Sequence, residues 1–133
     1  MEGTAGNAAA LRVLVVDDQR VVANVYSGIF RALGVAEVDV AMSGEQAAEM
    51  VLKKAYSLVL SDVHMPGMGG LGFVRYVRET LGRTDLPVYA VTSDTAAIDN
   101  LREKGFNAVL MKPFTRQNVV ALLRRMRGRE PRS

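Results

Sequence analysis

The stretch Leu11-Arg12-Val13-Leu14-Val15-Val16-Asp17-Asp18 decides the fold. Five of its first six residues are apolar, and it stops abruptly in two acids. A half-exposed strand alternates apolar and polar residues. A nearly continuous apolar run of this length, rich in valine, reads instead as a strand covered on both faces, as in a parallel sheet. The pattern returns at Leu58-Val59-Leu60, ending at Asp62, at Val88–Val91, ending at Thr92, and at Ala108–Met111, ending at Lys112. A shorter example is Val38–Ala41.

Helical periodicity fills the gaps. Val21, Val22, Val25, Tyr26, Ile29, Phe30 and Leu33 recur at helical spacing, and Gly34 ends the run. Ser43-Gly44-Glu45-Gln46 has the form of a capping box and opens a helix through Ala47, Met50 and Val51. A Pro/Gly-rich turn, Met65–Gly70, leads into a helix carrying Leu71, Val74, Val77 and Leu81. A weaker helix spans Ala96–Lys104, with Gly105 as its terminator. The last has Thr115 as N-cap, a Phe114/Val119 staple and an apolar face of Val119, Leu122, Leu123 and Met126. Five strands each followed by a helix form βαβ units, hence an α/β domain with helices on both sheet faces, a three-layer sandwich. The reading places one domain at residues 10–128, a loose segment at 1–9 and a loose tail at 129–133.

Composition narrows the chemistry. The 133 residues are 49% hydrophobic and 23% charged, which suits a single packed domain rather than a disordered chain. There is no cysteine, which excludes disulfide frameworks, thiolate metal sites and cysteine nucleophiles. The one histidine, His64, would have to anchor any zinc site or Ser-His-Asp triad alone. No apolar run approaches a membrane span and no signal peptide is evident, so a cytoplasmic location is expected. Net charge is +3, but residues 112–133 carry +6 and the preceding 111 carry −3. Without interleaved aromatics or a recognition motif, that basic end reads as a solvated helix, with no nucleic-acid or membrane partner expected.

In a parallel α/β sheet, ligands bind beyond the carboxyl ends of the strands. Asp17, Asp18, Asp62, Thr92 and Lys112 all stand at such ends. Three carboxylates brought together raise one another's pKa. Lys112 offsets one charge, and a divalent cation held by oxygen ligands would offset the other two. Such a pocket suits phosphoryl transfer, where positioning and charge neutralisation carry the catalysis. Each residue also has a plainer reading: Asp18 as a helix cap, Asp62 as a turn residue, Thr92 as a strand-end hydroxyl bonding its own backbone, Lys112 as a surface charge. All four plain readings would have to hold at once.

The motifs Asp17-Asp18, Asp62-Val63-His64-Met65-Pro66-Gly67-Met68, Thr92-Ser93 and Lys112-Pro113-Phe114, in that order and each at a strand end, resemble a response-regulator receiver domain. The resemblance covers about residues 10–128 and is similar in extent to single-domain chemotaxis regulators. It implies a flavodoxin-like (βα)5 fold with a parallel five-stranded sheet in the order 2-1-3-4-5. It also implies Asp62 as phosphoacceptor and Mg2+ or Mn2+ held by Asp18, Asp62 and the backbone carbonyl of His64, with Asp17 acting through water. Lys112 would pair with the phosphoryl group, the Thr92 hydroxyl would bond one of its oxygens, and the amides of His64 and Ser93 would complete the cradle. The His64 imidazole is expected to stay exposed, and the Lys112-Pro113 bond is expected to be cis.

The resemblance further implies a signalling domain rather than an enzyme acting on a separate substrate. Its donor would be a histidine kinase or histidine phosphotransfer protein. Its downstream protein partner would sit on the face of helix four, strand five and helix five, with the chain a monomer or weak dimer. A phosphorelay intermediate, a phosphate sink and a receiver-like interaction module that is never phosphorylated are the alternatives. A flavin-binding fold of the same topology fits poorly, because Asp17-Asp18-Gln19 would repel a phosphate. A dehalogenase-like phosphatase lacks its second acid, since Gln19 and His64 stand two residues after Asp17 and Asp62. A DNA-binding output domain is not expected in the 21 residues after Lys112.

Three positions depart from the family pattern. Gly69 replaces an Asp and predicts a weak helix cap and a mobile glycine-rich loop beside Asp62. Ser57 replaces an Asp without expected consequence. Val109 replaces the aromatic that swings inward on activation, so the usual readout is not expected.

Overall fold

The computed structural model describes residues 10–94, 98–112 and 115–128. Its elements run β1 Arg12–Val16, α1 Arg20–Ala32, β2 Glu37–Ala41, α2 Gly44–Lys53, β3 Leu58–Asp62, α3 Gly69–Arg75 with a wider π-helical turn Tyr76–Thr80, β4 Val88–Thr92, α4 Ile98–Glu103, β5 Ala108–Met111 and α5 Arg116–Gly128. All strand pairs are parallel, in the order β2-β1-β3-β4-β5, as expected for a flavodoxin-like α/β fold.

Strand alternation splits the core in two. Val13 and Val15 of β1, Leu58 and Leu60 of β3, and Tyr89 and Val91 of β4 face one side, with Ala23, Tyr26 and Phe30 of α1 and Val119 and Leu122 of α5. Leu14, Val16, Val59, Val88 and Ala90 face the other, with Ala47, Ala48 and Val51 of α2, Phe73, Val74 and Val77 from α3 and its π turn, and Leu101 of α4. Double-sided burial is why these strands read as unbroken apolar runs.

The helices need narrower faces than their periodicity suggests. Val21 and Val25 of α1 are 76% and 52% exposed, and Leu71 of α3 is 39% exposed. Ala23, Tyr26, Ser27 and Phe30 are the buried stripe of α1. A helix lying on a flat sheet presents only one side to it, so an apolar set spread wider than that side leaves members in solvent.

Local chemistry sets the termini. The Gln46 N–H donates to Ser43 Oγ at 3.0 Å, while Gln46 Oε1 accepts from the Met42 N–H at 2.7 Å, one residue earlier than a capping box requires. Gly34 and Gly105 take positive φ at the ends of α1 and α4, where a Cβ would be strained. The Asn118 side chain accepts from the Thr115 N–H, and Thr115 Oγ1 accepts from the Asn118 N–H, capping α5. Phe114, Pro113 and with them the expected staple and cis bond lie outside the described residues, as do Ala96 and the loose ends at 1–9 and 129–133. Ser57, which stands where the family pattern has an acid, ties β1 to the entry of β3: its hydroxyl accepts from the Arg12 N–H at 3.1 Å.

No sequence motif announced Arg78. Its guanidinium reaches from the π turn to the carbonyls of Gly105, Arg83 and Leu86 and to Asn107 Oδ1, at 2.7–3.0 Å. Burial lowers its pKa from the ordinary guanidinium value. It ties α3, the entry to β4 and the entry to β5 together at the amino-terminal edge, opposite the candidate site.

Candidate functional site

The register places the polar strand ends side by side. Asp62 pairs with Val91 and Thr92 with Met111. Three further backbone bonds extend the ladders past the strands: Asp17 N–H to the Ala41 carbonyl, Val63 N–H to Val91, and Lys112 N–H to Thr92. Residues as far apart in sequence as Asp17 and Lys112 therefore meet at one edge. Asp17, Asp18 and Asp62 converge so that each offers a carboxylate oxygen within 4.8 Å of the others. Asp17 and Asp62 are buried, 2% and 6% exposed, and Asp18 is open to solvent.

Two of the plain readings are resolved by the hydrogen bonds. Gln19 is the N-cap of α1 and no side chain caps it, so Asp18 is not spent as a cap. Asp17 Oδ1 instead accepts from the Gln19 N–H at 2.9 Å. Lys112 is no surface charge: its Nζ stands 3.4 Å from Asp62 Oδ2, longer than a close charge-assisted bond and with Asp62 nearly buried. The His64 N–H donates to Asp62 Oδ1 at 3.2 Å, while its imidazole is exposed as expected. Thr92 is fully buried, and its Oγ1 accepts from the Asp94 N–H at 3.0 Å, the local bond anticipated for a strand-end hydroxyl. Ser93 follows it into solvent.

Electrostatics mark the site as short of positive charge. Burial pushes the Asp17 carboxyl above its ordinary value; the Gln19 N–H and Lys112 pull it down, and the charges of Asp62 and Asp18 push it up again, with the net raised. One ammonium faces three carboxyl groups. The donors are hard oxygens and the local deficit is that of a divalent cation, so the residues fit Mg2+ or Mn2+.

The β3–α3 loop closes one wall. Gly67 and Gly69 have φ of +75° and +69°. Gly70 lies directly against the Asp62 carbonyl and the Val63 Cα, where a Cβ has no room. Of the glycines in this loop, Gly70 is the one packed tightly under the acid site. As the weak cap expected here implies, α3 has no side-chain cap from its N-cap residue, Met68. Val109 is half-buried and packs on the core cluster that contains Leu101 of α4.

A doubly covered parallel sheet with acids, a hydroxyl and an ammonium at its carboxyl edge defines an α/β domain whose edge suits the binding of a cation and a phosphoryl group. The chain belongs to the response regulator receiver domain family, whose pattern it matches over residues 13–124. It is 32% identical to a probable chemotaxis protein CheY of Rhizobium etli, across 91% of this chain and 95% of that one. It is 33% identical to the aerobic respiration control sensor protein ArcB of Escherichia coli over 87% of this chain, a match that spans 15% of that protein. A putative response regulator from Chloroflexus aurantiacus superposes with a TM-score of 0.80 at 33% identity, covering 90% of this chain and 98% of the other. No helix among the described residues is long and apolar enough to cross a membrane.

Proposed function

We propose that this receiver accepts a phosphoryl group on Asp62 from a phosphohistidine and signals through changed protein–protein binding. The observation that carries the reading is the convergence of Asp17, Asp18 and Asp62 with Lys112 Nζ 3.4 Å from Asp62. A carboxylate oxygen of Asp62 would attack phosphorus, forming a P–O bond as the P–N bond breaks. The electron pair leaves on the donor imidazole, which takes up a proton. Lys112 stands where it can pair with the transferred group, the buried Thr92 hydroxyl can turn from the Asp94 amide to a phosphoryl oxygen, and the His64 and Ser93 amides can complete the cradle. Asp18, Asp62 and the His64 carbonyl would hold Mg2+, with Asp17 acting through water; the ion supplies charge neutralisation between carboxylates and phosphoryl oxygens.

The donor would be a histidine kinase or histidine phosphotransfer protein, and the output face that of α4, β5 and α5. The chain would act in the cytoplasm as a monomer or weak dimer and as a signalling domain rather than an enzyme. The match to a segment of a sensor protein favours a second reading, a relay intermediate that passes its phosphoryl group onward. Incubation with acetyl phosphate and Mg2+ should add one phosphoryl mass at Asp62, trapped by hydroxylamine. Label that persists in Asp62→Asn overturns the assignment. Return of label to a histidine phosphotransfer protein separates relay from direct output.

A further inference from the structure

Glu45 is exposed, stands in the first turn of α2 and belongs to no motif that the phosphoacceptor reading uses. Its carboxylate nevertheless crosses to the β3–α3 loop. Glu45 Oε2 accepts from the Met68 N–H at 2.9 Å, a contact between residues 23 apart in sequence. Met68 is the N-cap of α3, and no side chain caps that helix from within. The carboxylate also lies over Gly67, where a Cβ would come within 2.7 Å of Oε2. One residue earlier, Gly44 lets the α2 backbone approach Gly69, where a Cβ would come within 2.6 Å of the carbonyl oxygen.

These contacts form a continuous path to the acceptor. Glu45 and Gly44 hold Met68 and Gly69; the Gly70 N–H donates to the Val63 carbonyl at 3.2 Å; Gly70 packs on the Asp62 carbonyl; and the His64 N–H donates to Asp62 Oδ1. Gly67 and Gly69 both hold positive φ, where glycine adds no Cβ restraint, so a contact from outside the loop narrows the courses it can take. We infer that Glu45 is a positioning residue for the phosphoacceptor loop: its bond to the Met68 amide sets where the His64 carbonyl and amide stand relative to Asp62. The inference rests on Asp62 being the acceptor, and it concerns placement of the loop rather than contact with the phosphoryl group.

The test compares Glu45→Ala with Glu45→Gln, whose amide oxygen can still accept the Met68 N–H without the charge. Three quantities are read: the rate of labelling by acetyl phosphate, the Mg2+ dissociation constant from amide shifts, and hydrogen exchange at Met68 and His64. Misplacing a reacting group by an ångström costs on the order of 100-fold, and an exposed tether should cost less. Glu45→Ala should therefore slow labelling roughly tenfold, weaken Mg2+ severalfold and speed exchange at both amides, with its thermal transition still cooperative. Glu45→Gln should stay within about twofold of wild type in all three. Wild-type labelling, Mg2+ affinity and exchange in Glu45→Ala would overturn the proposal, as would a Gln variant as impaired as the Ala one. The Mg2+ and exchange measurements need no phosphoryl transfer. A wild-type protein that takes no label at Asp62 would sink the phosphoacceptor reading alone, and those two measurements would still decide whether Glu45 sets the loop.

Discussion

Two acidic clusters in this chain have opposite electrostatic fates. At the β2 edge, Glu37 and Asp39 meet Lys54 at 3.0 and 2.9 Å, Glu37 meets Arg12 at 2.9 Å, and Tyr56 donates to Asp39 at 2.7 Å. Lys54 holds Glu37 below the usual carboxylate range. Burial alone would push Asp39 up, but the bonds from Lys54 and Tyr56 outweigh it and the net is downward. At the carboxyl edge, three acids converge near one ammonium, which stands 3.4 Å from Asp62, and Asp17 is pushed upward. The first cluster is neutralised from within and guards an edge strand against pairing. The second has more carboxylates than cations around it, a balance that suits the cation and phosphoryl binding proposed for it. Cation count around the acids, more than acid count, separates structure from function here.

The comparison breaks most visibly in chemistry. Asp62→Asn should lose phosphoryl labelling entirely, and an equivalent change at Asp39 should leave it intact; intact-mass measurement after acetyl phosphate decides it. Next in size is the response to metal. Saturating Mg2+ at about 100 times its dissociation constant should stabilise the protein by about 2.7 kcal/mol in urea titrations, and Asp18→Asn should abolish that gain.

Without metal, Asp17→Asn should stabilise the fold at neutral pH, read as a higher urea midpoint, because burial and the neighbouring carboxylates disfavour its ionised form. The sign follows from its raised folded pKa: the ionised carboxyl costs stability above its ordinary value, and protonation relieves that cost. The gain should therefore shrink as pH falls through the folded value. The β2 edge should do the reverse. The folded pKa of Asp39 is lowered, so its contribution is present above the unfolded value and lost as pH falls through the folded one. Tyr56→Phe should cost about 1 kcal/mol at neutral pH and less in acid, read from the same titrations.

The smallest effect concerns readout. Val109 is too short to swing between surface and pocket, so a beryllofluoride mimic should shift amides around His64–Gly70 and Ser93 far more than those of Gln117–Arg125. Comparable shifts along α5 would show that another element carries the signal.

The polar strand ends were readable because a parallel sheet leaves little choice. Strands buried on both faces are mostly apolar, so a charged residue such as Asp62 or Lys112 falls at the strand's end and hence at the binding edge. Helix faces were less readable. Val21 and Val25 satisfy the period of α1, yet the sheet covers only the side bearing Ala23, Tyr26 and Phe30. Periodicity reports the direction of a face and not its width.

The order of elements, the five strand ends and the family itself were determined by the sequence alone, because apolar runs and their polar stops are local properties of the chain. Tertiary structure alone decided the rest. Arg78 gathers acceptors from Arg83 to Asn107, Glu45 reaches 23 residues to Met68, and Lys54 matches acids on β2. Each is an ordinary charged residue in its own neighbourhood. Its role comes from partners that only folding brings within hydrogen-bond distance and, for Arg78, from the burial that makes such bonds stronger than the same bonds in water.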